Sequence, residues 1–224
     1  MDEVGPEHHA ARRRFLTGAG VAAAGIALPL LFGGKPASVP VRTAAPAPAA
    51  PPPVPDLAKP RLYPRAMAAL DRHGARIPHR DRIAVVDFAA PSREARMHLV
   101  DLEGGAVESY LVSHGKGSDP SRSGWLQSFS NVPDSEASSQ GAYVTAAQYT
   151  GKHGASRRLV GLDPTNDMAE ARAIVMHGAD YVSETMASAQ GLIGRSQGCF
   201  AVTQDAIREV LERLGEGRLL FAWK

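Results

Sequence analysis

The chain has 224 residues, 44% of them hydrophobic and 21% charged, which permits a packed core and excludes a wholly disordered polypeptide. Its 25 basic and 23 acidic residues nearly cancel, and they are scattered, which argues against a nucleic-acid partner. A single cysteine excludes a disulfide within the chain.

The N-terminal third reads differently from the rest. Arg12-Arg13-Arg14-Phe15-Leu16 is followed by about fifteen mainly small and apolar residues from Gly18 to Phe32, the layout of an export signal over residues 1–35. The run is short for a membrane span, which needs about 20 residues. Paired arginines before Phe-Leu resemble a twin-arginine signal, although Ala11 and Thr17 stand where Ser or Thr and Lys are more usual; a general secretory signal is the alternative. Residues 36–60 hold nine of the 17 prolines and read as an extended Pro/Ala-rich linker. Ala-x-Ala triplets at Ala45–Ala47 and Ala47–Ala49 offer cleavage sites, and an uncleaved signal would leave the domain on a membrane tether. The expected location is the periplasm or cell envelope. There a lone thiol is buried, paired between chains, or functional.

Residues 61–224 fit one domain. Pro64 to His73 reads as a helix, with Pro64 suited to its first turn and Gly74 to its stop. Strand signals follow from Ile77 to Phe88, at Met97 to Leu102 and at Val107 to Val112, the last two separated by Glu103-Gly104-Gly105 as in a hairpin. A polar loop runs from Ser113 past Trp125 to Ser139. Strands are expected at Ala142–Thr145, Leu159–Leu162 and Ile174–Met176, with one short helix over Asp167–Ala173. Thr203 can cap a last helix carrying Ala206, Val210, Leu211 and Leu214 and ending at Gly215, and Leu219–Trp223 is a closing strand. Many short strands and few helices predict a mainly β domain, a sandwich or compact barrel-like sheet pair.

The cysteine lies in Gly194-Arg195-Ser196-Gln197-Gly198-Cys199, and the apolar run Ala173–Met176 delivers His177-Gly178. A thiol in a glycine-flanked turn and a histidine at a strand mouth have the chemistry of a nucleophile and its base. Gly178 permits a sharp exit. The N–H groups of Gly198 and Cys199 could meet an oxyanion, and the Ser196 hydroxyl could orient the turn. Arg195 is a candidate for a substrate carboxylate or for a surface ion pair. His114 either binds substrate or steadies its loop; His98 is expected on an exposed strand face and His153 in a loop. Without His-x-x-His or Cys-x-x-Cys spacing, no metal site is expected.

His177-Gly178 followed by Ser196-Gln197-Gly198-Cys199 resembles the signature of the YkuD-like L,D-transpeptidases, in which a His precedes a Ser/Thr-x-Gly-Cys element by a couple of dozen residues. The spacing here is slightly longer than the commonest form. Gln197 stands where His is usual, and Phe200-Ala201 replaces the frequent apolar-then-Asn/Arg pair. Ser113–Gly117, Phe129–Asn131, Ser138–Gly141 and Gly194–Ser196 are similar to an exported murein subgroup. The resemblance spans roughly Asp81 to Val202. It implies an L,D-transpeptidase-like β-sandwich of mixed sheets with a few helices, acting on peptidoglycan stem peptides without metal or cofactor. It further implies that the Cys199 thiolate attacks the L-centre carbonyl before a terminal D-alanine while His177 moves the proton. The thioester would then pass to a stem amine, a lipoprotein lysine or water, the last making an L,D-carboxypeptidase. A sortase-like peptidase and a non-catalytic wall-binding module are the competing readings.

Overall fold

The computed structural model describes residues 59–224. The export signal and all but the end of the linker lie outside the described residues. The first helix, α1, is Tyr63–Arg72, with proline in its first turn as its sequence requires. Its stripe of Ala66, Ala69 and Leu70 is buried against one face of a β-sheet.

Eight strands form that sheet: β1 Arg82–Asp87, β2 Ala95–Asp101, β3 Val107–Leu111, β4 Gly141–Gly151, β5 Gly154–Gly161, β6 Val175–Gly178, β7 Phe200–Val202 and β8 Leu219–Trp223. Their order is β3-β2-β1-β8-β4-β5-β6-β7. The β1–β8 and β6–β7 pairs are parallel and the others antiparallel. Strand β1 explains why the sheet carries a core on both sides. Ile83 and Val85 face the α1 layer, while Ala84 and Val86 face a second core containing Met97, Leu99, Tyr143 and Phe200. Helix α3, Ile207–Leu214, lays Ile207, Val210, Leu211 and Leu214 on that second core.

The chain is therefore mainly β, as the sequence predicts, but one mixed sheet replaces the expected sheet pair. It curls far enough for its edges to touch. Just beyond β3, the Ser113 N–H donates to the Ala201 carbonyl of β7 at 2.8 Å, and Gly115 pairs with Ser196. This seam is where the cysteine turn lies.

Three local expectations need correction. Residues 167–173 form successive tight turns, not a helix. Asn166 draws its side chain to the Ala142 carbonyl and the Asp163 N–H, and the segment ends at Ala173 with φ 53°, which no helix continues. Helix α2, Glu184–Gln190, was not anticipated, although its signals are plain: Ser183 Oγ accepts from the Met186 N–H at 3.1 Å, and Gly191 closes it at φ 70°. Thr203 Oγ1 caps only the turn before α3, accepting from the Ala206 N–H at 3.2 Å.

Candidate active site

The β6–β7 pairing sets Cys199 and His177 on one side of the sheet. In the parallel β6–β7 ladder, Met176 lies opposite Phe200 and both enter the inner core. Alternation turns their neighbours to the other face, so His177, at the end of β6, and Cys199, immediately before β7, become diagonal neighbours there. The thiol is half-buried. Its hydrogen bond goes to the Ala173 carbonyl oxygen, 3.6 Å away. Burial pushes the Cys199 thiol up from its ordinary value, with the Val175 N–H and the cations of Lys152 and Arg172 pulling the other way.

His177 is 2% exposed. Its Nδ1 lies 2.8 Å from the Gly178 carbonyl oxygen. A carbonyl can only accept, so Nδ1 carries the hydrogen and Nε2 keeps its lone pair. Burial holds the His177 pKa below its usual value, and the nearby His153 and Lys152 lower it further. At rest the thiol and the imidazole are thus both neutral, and the free nitrogen of the His177 ring can take a proton. The ring of His153, at the tip of the β4–β5 hairpin, stacks on the His177 ring with centroids 4.3 Å apart and planes at 23°.

The cysteine turn is braced by its own short side chains. Ser196 Oγ donates to the Cys199 carbonyl at 2.7 Å and accepts from the Gly198 N–H at 3.1 Å. That N–H, expected at an oxyanion, is therefore already engaged. Gly198 has φ 111°, and a Cβ there would lie 2.7 Å from the Ala137 oxygen. The Gly178 position is equally tight, with Gln204 Oε1 2.7 Å from an added Cβ. Backbone bonds from Ser196 N–H to the His114 carbonyl and from Lys116 N–H to the Ser196 carbonyl stitch the turn to the polar loop.

The two substrate-binding candidates do other work. His114 is 1% exposed. Arg96 Nη2 lies 2.7 Å from its Nδ1, and an arginine can only donate. The hydrogen therefore sits on Nε2, which faces Asp119 Oδ2 at 3.4 Å. Burial and the Arg96 charge push the His114 pKa down to about 4. His114 thus steadies the loop that carries Ser196 and is closed to a substrate. Arg195 is half-buried and donates to the Asp119 carbonyl rather than facing solvent as a free cation. His98, expected on an exposed face, is half-buried and bonded to Ser109 Oγ at 2.7 Å.

Two neighbours escaped the sequence reading. Arg172 ties the 130–139 loop together, donating to the Ser130 and Ala137 carbonyls and to Ser139 Oγ, and its charge favours the thiolate of Cys199. His153 was read only as a loop residue. Neither belongs to a motif, and both arrive by nonlocal folding. A cleft of about 320 Å³ opens on the Arg172 side, lined by Asp134, Glu136, Ala173 and Gln197. Another of about 440 Å³ opens on the His153 side, lined by Lys152, Gly178, Asp180, Tyr181 and Gln204.

The profile of the L,D-transpeptidase catalytic domain matches residues 56–223. The chain belongs to that family. No curated protein sequence matches it. Among solved structures, this L,D-transpeptidase domain is similar to an L,D-transpeptidase from Mycobacterium smegmatis at 12% identity and TM-score 0.39, covering 64% of this chain and 59% of that one. It is similar to L,D-transpeptidase 3 from Mycobacterium tuberculosis at 10% identity and TM-score 0.41, covering 64% and 61%. The helical cell shape determining protein Pgp2 (K307A mutant) from Campylobacter jejuni aligns at 12% identity and TM-score 0.40, covering 74% and 57%. The matched region spans about six-tenths of the length of these proteins.

Proposed function

We propose that the protein is an exported cysteine L,D-transpeptidase acting on peptidoglycan tetrapeptide stems, with Cys199 as nucleophile and His177 as the proton-transfer group. One observation carries this reading within the family. His177 has Nδ1–H committed to the Gly178 carbonyl, which leaves Nε2 as a free acceptor, and strand alternation puts His177 and Cys199 on the same side of the β6–β7 pair.

The thiol gives its proton to His177 Nε2 as Sγ attacks the L-centre carbonyl of the stem. A C–S bond forms and the carbonyl becomes an oxyanion. Since the Gly198 N–H is held by Ser196, the Cys199 N–H is the proposed oxyanion donor. The C–N bond then breaks, and the imidazolium returns its proton to the departing D-alanine amine. An acceptor amine attacks the thioester, gives a proton to His177, and leaves as the new amide while the thiol is restored. Water in its place makes the L,D-carboxypeptidase product. The general-acid role puts the leaving amine, and later the acceptor, on the His177 side, in the cleft walled by His153. The acyl donor then extends along the Arg172 side. Stem amines and lipoprotein lysines are both acceptors of the right chemistry.

The departures from the family pattern at Gln197 and Phe200 are what would favour a non-catalytic wall-binding module. Phe200 is fully buried, stacking on Phe88 and edge-on to Tyr143, and Gln197 donates to Glu136 at 2.8 Å. Both side chains are engaged away from His177, so neither disables the pair. The twin-arginine-like segment supports export to the periplasm or cell envelope. The test is product analysis of disaccharide-tetrapeptide incubated with the domain. Wild type is expected to release D-alanine and yield 3→3 cross-linked muropeptides, and Cys199→Ala and His177→Ala to do neither while melting as wild type. Release of D-alanine by Cys199→Ala at the wild-type rate overturns the assignment.

A further inference from the structure

We propose that His153 is a positioning residue for His177, its ring serving as the flat support that holds the imidazole in the plane needed for proton transfer at Cys199. The proposal rests on the His177 role given above.

The hairpin makes this contact by construction. β4 and β5 pair as far as Gly151 opposite Gly154, leaving Lys152-His153 as the two-residue tip. Ser156 of β5 lies opposite His177 of β6, so the tip reaches past the end of β6. Gly154, at φ 74°, supplies the left-handed residue that turns the chain there. His153 is thereby laid over the last imidazole of the neighbouring strand, 4.3 Å away and within 23° of parallel.

The stack supplies a restraint that the hydrogen bond does not. The Nδ1–H bond to Gly178 fixes one atom of the His177 ring, and the ring can still swing about that bond. Contact of one whole face with a second ring removes the swing. The contact is also compatible with the chemistry. Burial and Lys152 hold His153 below its ordinary pKa, so near neutrality two uncharged rings are in contact. Proton transfer is sharply dependent on the alignment of the accepting lone pair, and misplacement by about 1 Å can cost 10²-fold in rate. Beyond the stack, His153 forms part of the wall of the cleft on that side. It is exposed at a hairpin tip, where a side chain adds little to stability.

The test separates ring from hydrogen bond and geometry from stability. His153→Ala removes the support, and His153→Phe keeps a flat ring without nitrogen atoms. The first readout needs no substrate: the side-chain ¹⁵N spectrum of His177. The Nδ1–H tautomer, set by Gly178, is expected in all three proteins, with the His177 ring signals sharp in wild type and His153→Phe and broadened by ring motion in His153→Ala. The second is the rate of D-alanine release. His153→Ala is expected to lower kcat roughly tenfold with KM little changed, and His153→Phe to recover most of it, all three proteins melting alike. Unchanged His177 spectrum and kcat in His153→Ala overturn the proposal. A His153→Phe variant as impaired as His153→Ala also overturns it, because the nitrogens rather than the ring face would then matter. Should wild type release no D-alanine, the transpeptidase reading fails, and the ¹⁵N spectra still decide whether His153 holds the ring.

Discussion

Replacing Gly198 with alanine tests whether the cysteine turn is held by close packing of backbone against backbone. Two costs add. Gly198 has φ 111°, where an L-residue is strained by about 1–3 kcal/mol. The new Cβ would also lie 2.7 Å from the Ala137 oxygen and 2.8 Å from Ile174 Cδ1, distances that force something to move. Overpacking of this kind costs about 1–3 kcal/mol. The Ala137 carbonyl cannot retreat freely, since Arg172 Nη2 is bonded to it at 2.5 Å. The sum, about 2–6 kcal/mol, is a large part of a typical domain's stability. It corresponds to a fall in melting temperature of roughly 5–20 °C for a chain of this size. If the turn yields instead, Cys199 shifts relative to His177 and the rate falls about 10²-fold. Thermal unfolding by circular dichroism and D-alanine release from a tetrapeptide, measured together, show which occurs. A variant melting within 2 °C of wild type and working at half its rate would refute the argument.

The pH profile has a definite sign. In the proposed mechanism His177 acts unprotonated, and its pKa is lowered by burial, so acylation is expected to rise with pH through a midpoint below the ordinary histidine value of about 6.5. The Cys199 thiol is raised, so alkylation by iodoacetamide without substrate is expected to reach half its maximum only above pH 9. An alkylation plateau by pH 7 would instead mean a resting thiolate–imidazolium pair. Asp119 is fully buried and accepts from the Ser123 and Gly124 N–H groups, Ser123 Oγ and Gln127 Nε2. Asp119→Ala is expected to cost about 3–5 kcal/mol in urea unfolding, because the Ser123, Gly124 and Gln127 donors that Asp119 accepts from lose their acceptor and Arg96 keeps only Asp87 as a nearby carboxylate; a loss under 1 kcal/mol would count against it. The Asp119 pKa is lowered: burial, the largest influence, raises it, but the hydrogen bonds it accepts and the nearby His114 outweigh that. Its stabilisation is present above the unfolded carboxylate value of about 3.9 and is lost as pH falls through the lower folded one. Wild type is therefore expected to unfold in acid more steeply with pH than Asp119→Ala.

Strands were legible where local pattern alone decides them. β1 reads from Ile83, Val85 and Val86, and β8 from Leu219–Trp223, because strands covered on both faces are continuously apolar. That these two lie side by side in parallel, Ile83 opposite Leu219, was not legible, since pairing across most of the domain leaves no mark in either segment. The absent helix at 167–173 failed for the opposite reason. Its composition permits a helix, and the Asn166 side chain overrides it with contacts to Ala142, far away in sequence. At the site, Cys199 and His177 announce themselves through flanking glycines. Arg172 and His153 carry no such context, and they reach the site only through a turn and a hairpin tip that folding places there.

Position 197 shows how the fold separates holding the cysteine from varying what surrounds it. The cysteine turn is fastened by Ser196 Oγ, by two backbone bonds to the loop around His114–Lys116, and by the close approach of Gly115 to Gly198, where a Cβ on Gly115 would lie 2.8 Å from the Gly198 nitrogen. None of these uses the side chain of residue 197, which is exposed at the cleft rim and bonded to Glu136. Glu136 in turn pairs with Lys116 at 2.7 Å. The three side chains form a polar strap across the outside of the seam. A change at 197 therefore alters the wall of the cleft on the Arg172 side while the thiol stays where backbone bonds put it. Gln197→His is accordingly expected to change KM for the stem more than the alkylation rate of Cys199, and an equal change in both would mean that the strap, and not the backbone, sets the position of the sulfur.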